Sequence, residues 1–218
     1  MIDRSDRRTL AVMLAALLAI VAIGVMVAND LTDPFDAMII GLVRDDAAPF
    51  SFLRPLTEAG STWAVTAVAV VVLVVLSFGG WPRHAALAAG LIGLTALANT
   101  LLKRGVARAR PDALEPLVVE HGFSFPSGHA LLSATAFGIV AVLVLRSRLP
   151  GGARQLVAAL LALLVLLVGV SRIYLGVHYP SDVLAGWIAG LAVVVLFARL
   201  TRTAGAASAA ADRRREAG

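Results

Sequence analysis

The run Gln155–Val170 (QLVAALLALLVLLVGV) and the run Val183–Ala198 (VLAGWIAGLAVVVLFA) are both uncharged. Between them lies Ser171-Arg172-Ile173-Tyr174-Leu175-Gly176-Val177-His178-Tyr179-Pro180-Ser181-Asp182. Each run is apolar on every face, which is the mark of a helix in lipid rather than on the surface of a soluble fold. The stretch between them places an arginine, a histidine and an aspartate next to the membrane. Ionisable groups there are costly, so they are functional candidates.

The whole chain supports a membrane setting. Of 218 residues, 59% are hydrophobic and 15% charged, against roughly 25% charged in soluble domains. The length suits one domain, residues 1–218. Cysteine is absent, which excludes a disulfide framework, a thiolate metal site and a cysteine nucleophile. The net charge of +5 does not point to nucleic acid, because the arginines gather at the ends of apolar runs, where membrane topology puts them.

Four further spans are read on the same grounds: Thr9–Asn29, Ala59–Pro82, Ala85–Leu102 and Ala130–Leu145. A signal peptide cleaved after Ala28 competes with the first, but the run is longer than a usual signal core. The expected fold is therefore all-α, a polytopic bundle of six transmembrane helices. In the first outer connection, Asp30–Glu58, Asp33-Pro34 reads as N-cap and first helical residue. Phe35, Met38, Ile39, Leu42 and Val43 then make one apolar stripe, which predicts a short interfacial helix. The Ala-rich tail, 201–218, reads as disordered.

Six spans put both termini on one side. With residues 1–8 and the tail cytoplasmic, the inner segments hold 12 of the 19 Lys and Arg, from Arg4 to Arg215. The outer connections hold Arg44, Arg54, Lys103, Arg104, Arg108, Arg110 and Arg172. The positive-inside rule favours this orientation in the plasma membrane. The outer cations then need a reason, and a bound anion supplies one.

Two outer connections carry the chemistry. Lys103, Arg110 and Arg172 are cations at helix ends, suited to phosphate oxygens. Ser127 precedes an apolar helix as its N-cap, so the amides of Gly128 and His129 face an anion site. His178 has Asp182 four residues on, which can hold one imidazole nitrogen and leave the other nucleophilic. His129 flanks the same site. Any one of these cations alone reads as a residue snorkelling to headgroups; their occurrence together on one side argues for a site. His84 lies in a basic turn on the opposite side and receives no role.

Lys103-x6-Arg110-Pro111, Pro126-Ser127-Gly128-His129 and Ser171-Arg172-x5-His178-x3-Asp182 together resemble the three-part signature of the type 2 phosphatidic acid phosphatases. These are integral-membrane lipid phosphate phosphatases whose site is similar to that of vanadium haloperoxidases. The resemblance implies that His178 attacks phosphorus to form a phosphohistidine, and that Asp182 orients it. It implies that His129 protonates the leaving alkoxide and later activates water. Lys103, Arg110, Ser127, Gly128 and Arg172 would hold the phosphoryl oxygens, without a metal or other cofactor. Arg104 and Arg108 lie outside the signature and are expected to contact headgroups. The expected activity is a lipid phosphate or pyrophosphate phosphatase with its site on the extracytoplasmic face. Undecaprenyl pyrophosphate, phosphatidic acid and phosphatidylglycerol phosphate are the candidate substrates. A phosphotransferase using the same site is the alternative, and a phosphate-binding protein without catalysis is a third. That last reading leaves the histidine pair without a purpose.

Overall fold

The computed structural model describes residues 4–44, 53–111 and 117–216, with side chains described for 6–44, 55–111 and 117–202. Over these residues the chain forms helices α1 (Arg4–Ala28), α2 (Asp33–Val43), α3 (Leu53–Glu58), α4 (Thr62–Phe78), α5 (Pro82–Val106), α6 (Gly128–Leu145), α7 (Gly151–Tyr174) and α8 (Pro180–Glu216). Five of them are long and apolar enough to cross a bilayer: α1, α5, α6, α7 and the Pro180–Arg202 part of α8. Helix α4 has 17 residues, about 25 Å at the α-helical rise, and is the shorter apolar helix of the set.

Helix α6 is the centre of the bundle. It packs along α8 and α7 and also touches α5 and α4, while α1 lies against α8. Val65 and Val72 of α4, Ala88 and Ile92 of α5, Leu132, Ala136 and Ile139 of α6, and Phe197 of α8 form the main buried cluster. The outside is equally apolar. Leu10, Leu14, Leu17 and Leu18 of α1 and Val70, Val71, Val74 and Val75 of α4 are exposed. Apolar side chains on both surfaces with polar groups gathered at one end are what a bilayer solvent selects.

Small residues set the α6–α8 distance. A Cβ added at Gly190 would lie 2.6 Å from the Ala134 Cβ and 2.8 Å from the Leu131 carbonyl oxygen, and one at Gly186 would lie 2.8 Å from the Ser127 carbonyl oxygen. The Gly186-x-x-x-Gly190 face thus lets two backbones meet, as small residues do between membrane helices. Gly190→Val is expected to destabilise the purified protein by about 1–3 kcal/mol. A thermal unfolding scan in detergent checks this, and an unchanged midpoint would show that the helix pair can part at no cost.

Three elements differ from the sequence reading. Helix α2 starts one residue earlier than expected: Thr32 is the N-cap, Asp33 the first helical residue and Pro34 the second. Thr32 is already in helical geometry, and its carbonyl accepts from the Asp36 N–H at 2.9 Å. Its hydroxyl accepts from Arg108 instead of capping. Helix α3 was not expected; it packs on α7. Helix α8 continues to Glu216 where a disordered tail is expected, because alanine is the strongest helix former and carries the helix onward. The Asp30–Glu58 connection lies partly, at residues 45–52, outside the described residues, as do residues 112–116.

Candidate active site

The ends of α5 and α7 and the starts of α6 and α8 meet at one end of the bundle. Helix α7 stops because Gly176 adopts φ +71°, a left-handed geometry that a glycine takes without strain. The Arg172 carbonyl then accepts from the amides of Val177 and His178, each at 3.3 Å. Pro180 opens α8 at its favoured first position. Asp182, in the first turn, reaches back so that its Oδ2 accepts from the Tyr179 N–H at 2.9 Å, which is the logic of a capping box. The Ser127 N–H donates to the Asp182 carbonyl at 3.0 Å, joining the starts of α6 and α8.

This turn places His178 Nδ1 3.5 Å from Asp182 Oδ2. Ser124 Oγ donates to the same carboxylate oxygen and lies 3.4 Å from Nδ1. The other imidazole nitrogen, Nε2, faces Arg110 Nη1 at 3.4 Å. His178 is buried. Burial pushes its pKa down to about 4; Asp182 opposes this, and Lys103 and Arg172 add to it. The imidazole is therefore neutral at pH 7, with the nitrogen away from Asp182 available to attack.

The cations surround this histidine and are braced by backbone carbonyls. Lys103 Nζ donates to the carbonyls of Phe123 and Ser124. Arg110 donates to the carbonyls of Gly122 and His121 at 3.1 Å each, and to Val177 at 2.7 Å. Arg172, buried, donates to Thr57 Oγ1 at 2.8 Å and pairs with Glu120. Glu120 also lies 3.8 Å from Arg110. Burial would raise the Glu120 carboxyl, but Arg172 first, with its other charged neighbours including Arg110, holds the group below the usual carboxylate range. Burial lowers the Arg110 guanidinium, with Glu120 and Asp182 in opposition.

Ser127 is the N-cap of α6, as the sequence implies, but its hydroxyl makes no capping bond. Ser127 Oγ and Arg172 Nε are buried polar atoms without a hydrogen-bond partner among the described residues. Unmet buried donors are costly and suit a site built for a ligand with several acceptor oxygens. Gly128 and His129 follow as the first two residues of α6. The His129 side chain packs near Gly60 and lies within charge range of Arg172, Glu120, His178 and Lys103. All eight sequence-selected residues thus share one end of the fold.

Other residues at this end escape the sequence reading. Arg108 does not reach outward to headgroups. Its side chain is 10% exposed, and it donates to Asp182 Oδ1 and to Asp36 Oδ2, each at 2.8 Å. The apolar stripe of α2 hides the inward Asp36, and nothing local links it to Arg108, 72 positions away. Ser124 stands next to Phe125-Pro126 and reads as loop. Glu120 reads as a loop acid. Arg104 is exposed.

Residues 83–206 match the PAP2 superfamily. Phosphatidylglycerophosphatase B of Bacillus subtilis is 39% identical over 108 residues, 49% of this chain and 52% of the relative. Undecaprenyl-diphosphatase BcrC of the same organism is 30% identical over 169 residues, covering 75% and 80%. The matched region spans about half the length of the first of these relatives. The crystal structure of the transmembrane PAP2-type phosphatidylglycerolphosphate phosphatase from Bacillus subtilis superposes with a TM-score of 0.79 at 26% identity, covering 88% of this chain and 96% of that one. On the extent of the family match and of the full-length relative, the chain belongs to the PAP2 superfamily.

Proposed function

We propose that this protein is a membrane lipid phosphate or diphosphate phosphatase acting through a phosphohistidine at His178. The observation that carries the reading is the split environment of that imidazole: Nδ1 against Asp182 and Ser124, Nε2 beside Arg110. Nε2 attacks the terminal phosphorus, its P–O bond to the lipid alkoxide or, in a diphosphate, to the lipid monophosphate breaks, and His129 gives its proton to the departing oxygen. Water then loses a proton to His129 and attacks phosphorus, which breaks the P–N bond to His178. Phosphate leaves, and both histidines return to their starting states. Arg172, Arg110 and Lys103, with Ser127 and the Gly128 amide, offset the charge that builds on the phosphoryl oxygens.

The names of the relatives suggest phosphatidylglycerol phosphate and undecaprenyl diphosphate as substrates. The distribution of Lys and Arg supports six spans, cytoplasmic termini and a site on the extracytoplasmic face. Helix α4 would be the sixth span, and α2, beside α7 and α8, would lie at the interface. The deciding experiment measures phosphate release from purified phosphatidylglycerol phosphate, phosphatidic acid and undecaprenyl diphosphate. Turnover of at least one is expected; phosphate transfer to an added alcohol without release would favour a phosphotransferase, and no turnover of any would refute the phosphatase.

The protonation states give a pH prediction. His178 attacks only when neutral, and with its pKa near 4 activity falls as pH drops through that region. His129 must carry a proton to start the reaction, so activity also falls on the alkaline side. The expected profile of kcat/KM is bell-shaped, and a plateau extending through the acid region would contradict the His178 assignment.

A further inference from the structure

Asp182 divides its two oxygens between two tasks. Oδ2 faces His178 and takes Ser124 Oγ and the Tyr179 N–H. Oδ1 takes Arg108 Nη1, at 2.8 Å. Arg108 is itself fixed from several directions. Nη1 also donates to Ser181 Oγ at 2.8 Å, Nη2 donates to Asp36 Oδ2 at 2.8 Å and Thr32 Oγ1 at 3.1 Å, and the guanidinium lies 3.7 Å over the Tyr179 ring. Asp36, from α2, closes the ring. Its Oδ1 accepts from the Ser181 N–H and its Oδ2 from Ser181 Oγ, both at 2.8 Å.

We infer that Arg108 and Asp36 are positioning residues for catalysis, which clamp the carboxylate of Asp182 so that it presents Oδ2 to His178. The inference rests on the phosphohistidine reading. Asp36 is a capping group supplied by another helix: it satisfies an amide in the first turn of α8, where a negative charge is favoured. Arg108 spans the two carboxylates with a fork that lysine cannot copy. Both aspartates are buried, so without that cation two negative charges would face each other unscreened. With it, the carboxylate cannot swing, and the imidazole keeps a single orientation. Helix α2, far from the signature in sequence, thereby becomes part of the machinery that aims the nucleophile.

The test uses the purified full-length chain in detergent with a lipid phosphate that the wild type hydrolyses. Arg108→Gln is expected to lower kcat by about 10²-fold, the cost of a 1 Å misplacement of a reacting group, with KM within about threefold, since neither residue is assigned to the phosphate. Arg108→Lys keeps the charge and is expected to recover only part of the loss. Asp36→Asn keeps the shape and an acceptor for the Ser181 amide, and is expected to lower kcat about tenfold by freeing Arg108; it decides the matter if Arg108→Gln fails to elute as a folded species. The separating measurement is a double-mutant cycle. In an Asp182→Asn background, Asp36→Asn should cost no further kcat, because the residue acts through Asp182. Full wild-type kcat in both Arg108→Lys and Asp36→Asn would overturn the inference, as would losses that multiply in the cycle. An active His178→Ala would instead overturn the phosphohistidine reading, so the two failures are told apart.

Discussion

His178→Ala is expected to lower kcat by about 10⁴-fold or more, as the loss of a catalytic nucleophile does, in a protein that still folds. The geometry explains why both halves hold. Among the described residues, the neighbouring donors are not ready to replace the imidazole: Ser124 Oγ is committed to Asp182, and Lys103 Nζ to two carbonyls. Removing the ring does not strand the carboxylate, because Arg108, Ser124 and the Tyr179 amide remain on it. The fold therefore loses one buried side chain without gaining a bare charge. Phosphate release from a lipid phosphate gives the rate, and a thermal scan gives the fold. Rapid quenching with labelled substrate should trap acid-labile phosphoprotein in the wild type and none in the variant. Hydrolysis at the wild-type rate by His178→Ala would refute the nucleophile.

Arg172→Lys should lower kcat by about 10²–10³-fold, the usual cost of losing one preorganised charge stabiliser. The residue is buried, its Nη1 is anchored on Thr57 and its Nη2 on Glu120. That leaves Nε, which has no partner among the described residues, as the donor ready for a phosphoryl oxygen. Lysine preserves the charge opposite Glu120, so the fold should survive, but it cannot hold Thr57, Glu120 and an oxygen in one plane. Vanadate, which takes the five-coordinate geometry of the reacting phosphorus, should bind less tightly by a comparable factor. An unchanged kcat would show that Arg172 serves only to brace Thr57 and Glu120.

Much of the site can be read from the chain because its parts are local. His178 and Asp182 are one turn apart, Ser127 to His129 are consecutive, and Lys103 and Arg110 flank the end of one helix. The apolar runs likewise announce the bundle, since lipid asks for little beyond length and hydrophobicity. What stays hidden is long-range. Arg108 looks like one more outer arginine until the fold carries Asp36 and Asp182 to it. Asp36 sits in an apolar stripe, and only the tertiary contact turns it inward. Glu120 bridges two cations that lie on different segments. Helix α2 is legible as amphipathic, but its first residue depends on Thr32 being engaged by Arg108, which no local rule contains.

The Asp36–Ser181 hydrogen bond joins residues 145 positions apart, and this has a consequence for biogenesis. The nascent chain presents α2 well before α8. Until α8 has been inserted, Arg108 and Asp36 lack Asp182, and Lys103, Arg110 and Arg172 surround no imidazole held in place. On the phosphohistidine proposal, activity therefore waits on the insertion of α8, and a ribosome stalled before α8 would leave an inert intermediate rather than a weak enzyme.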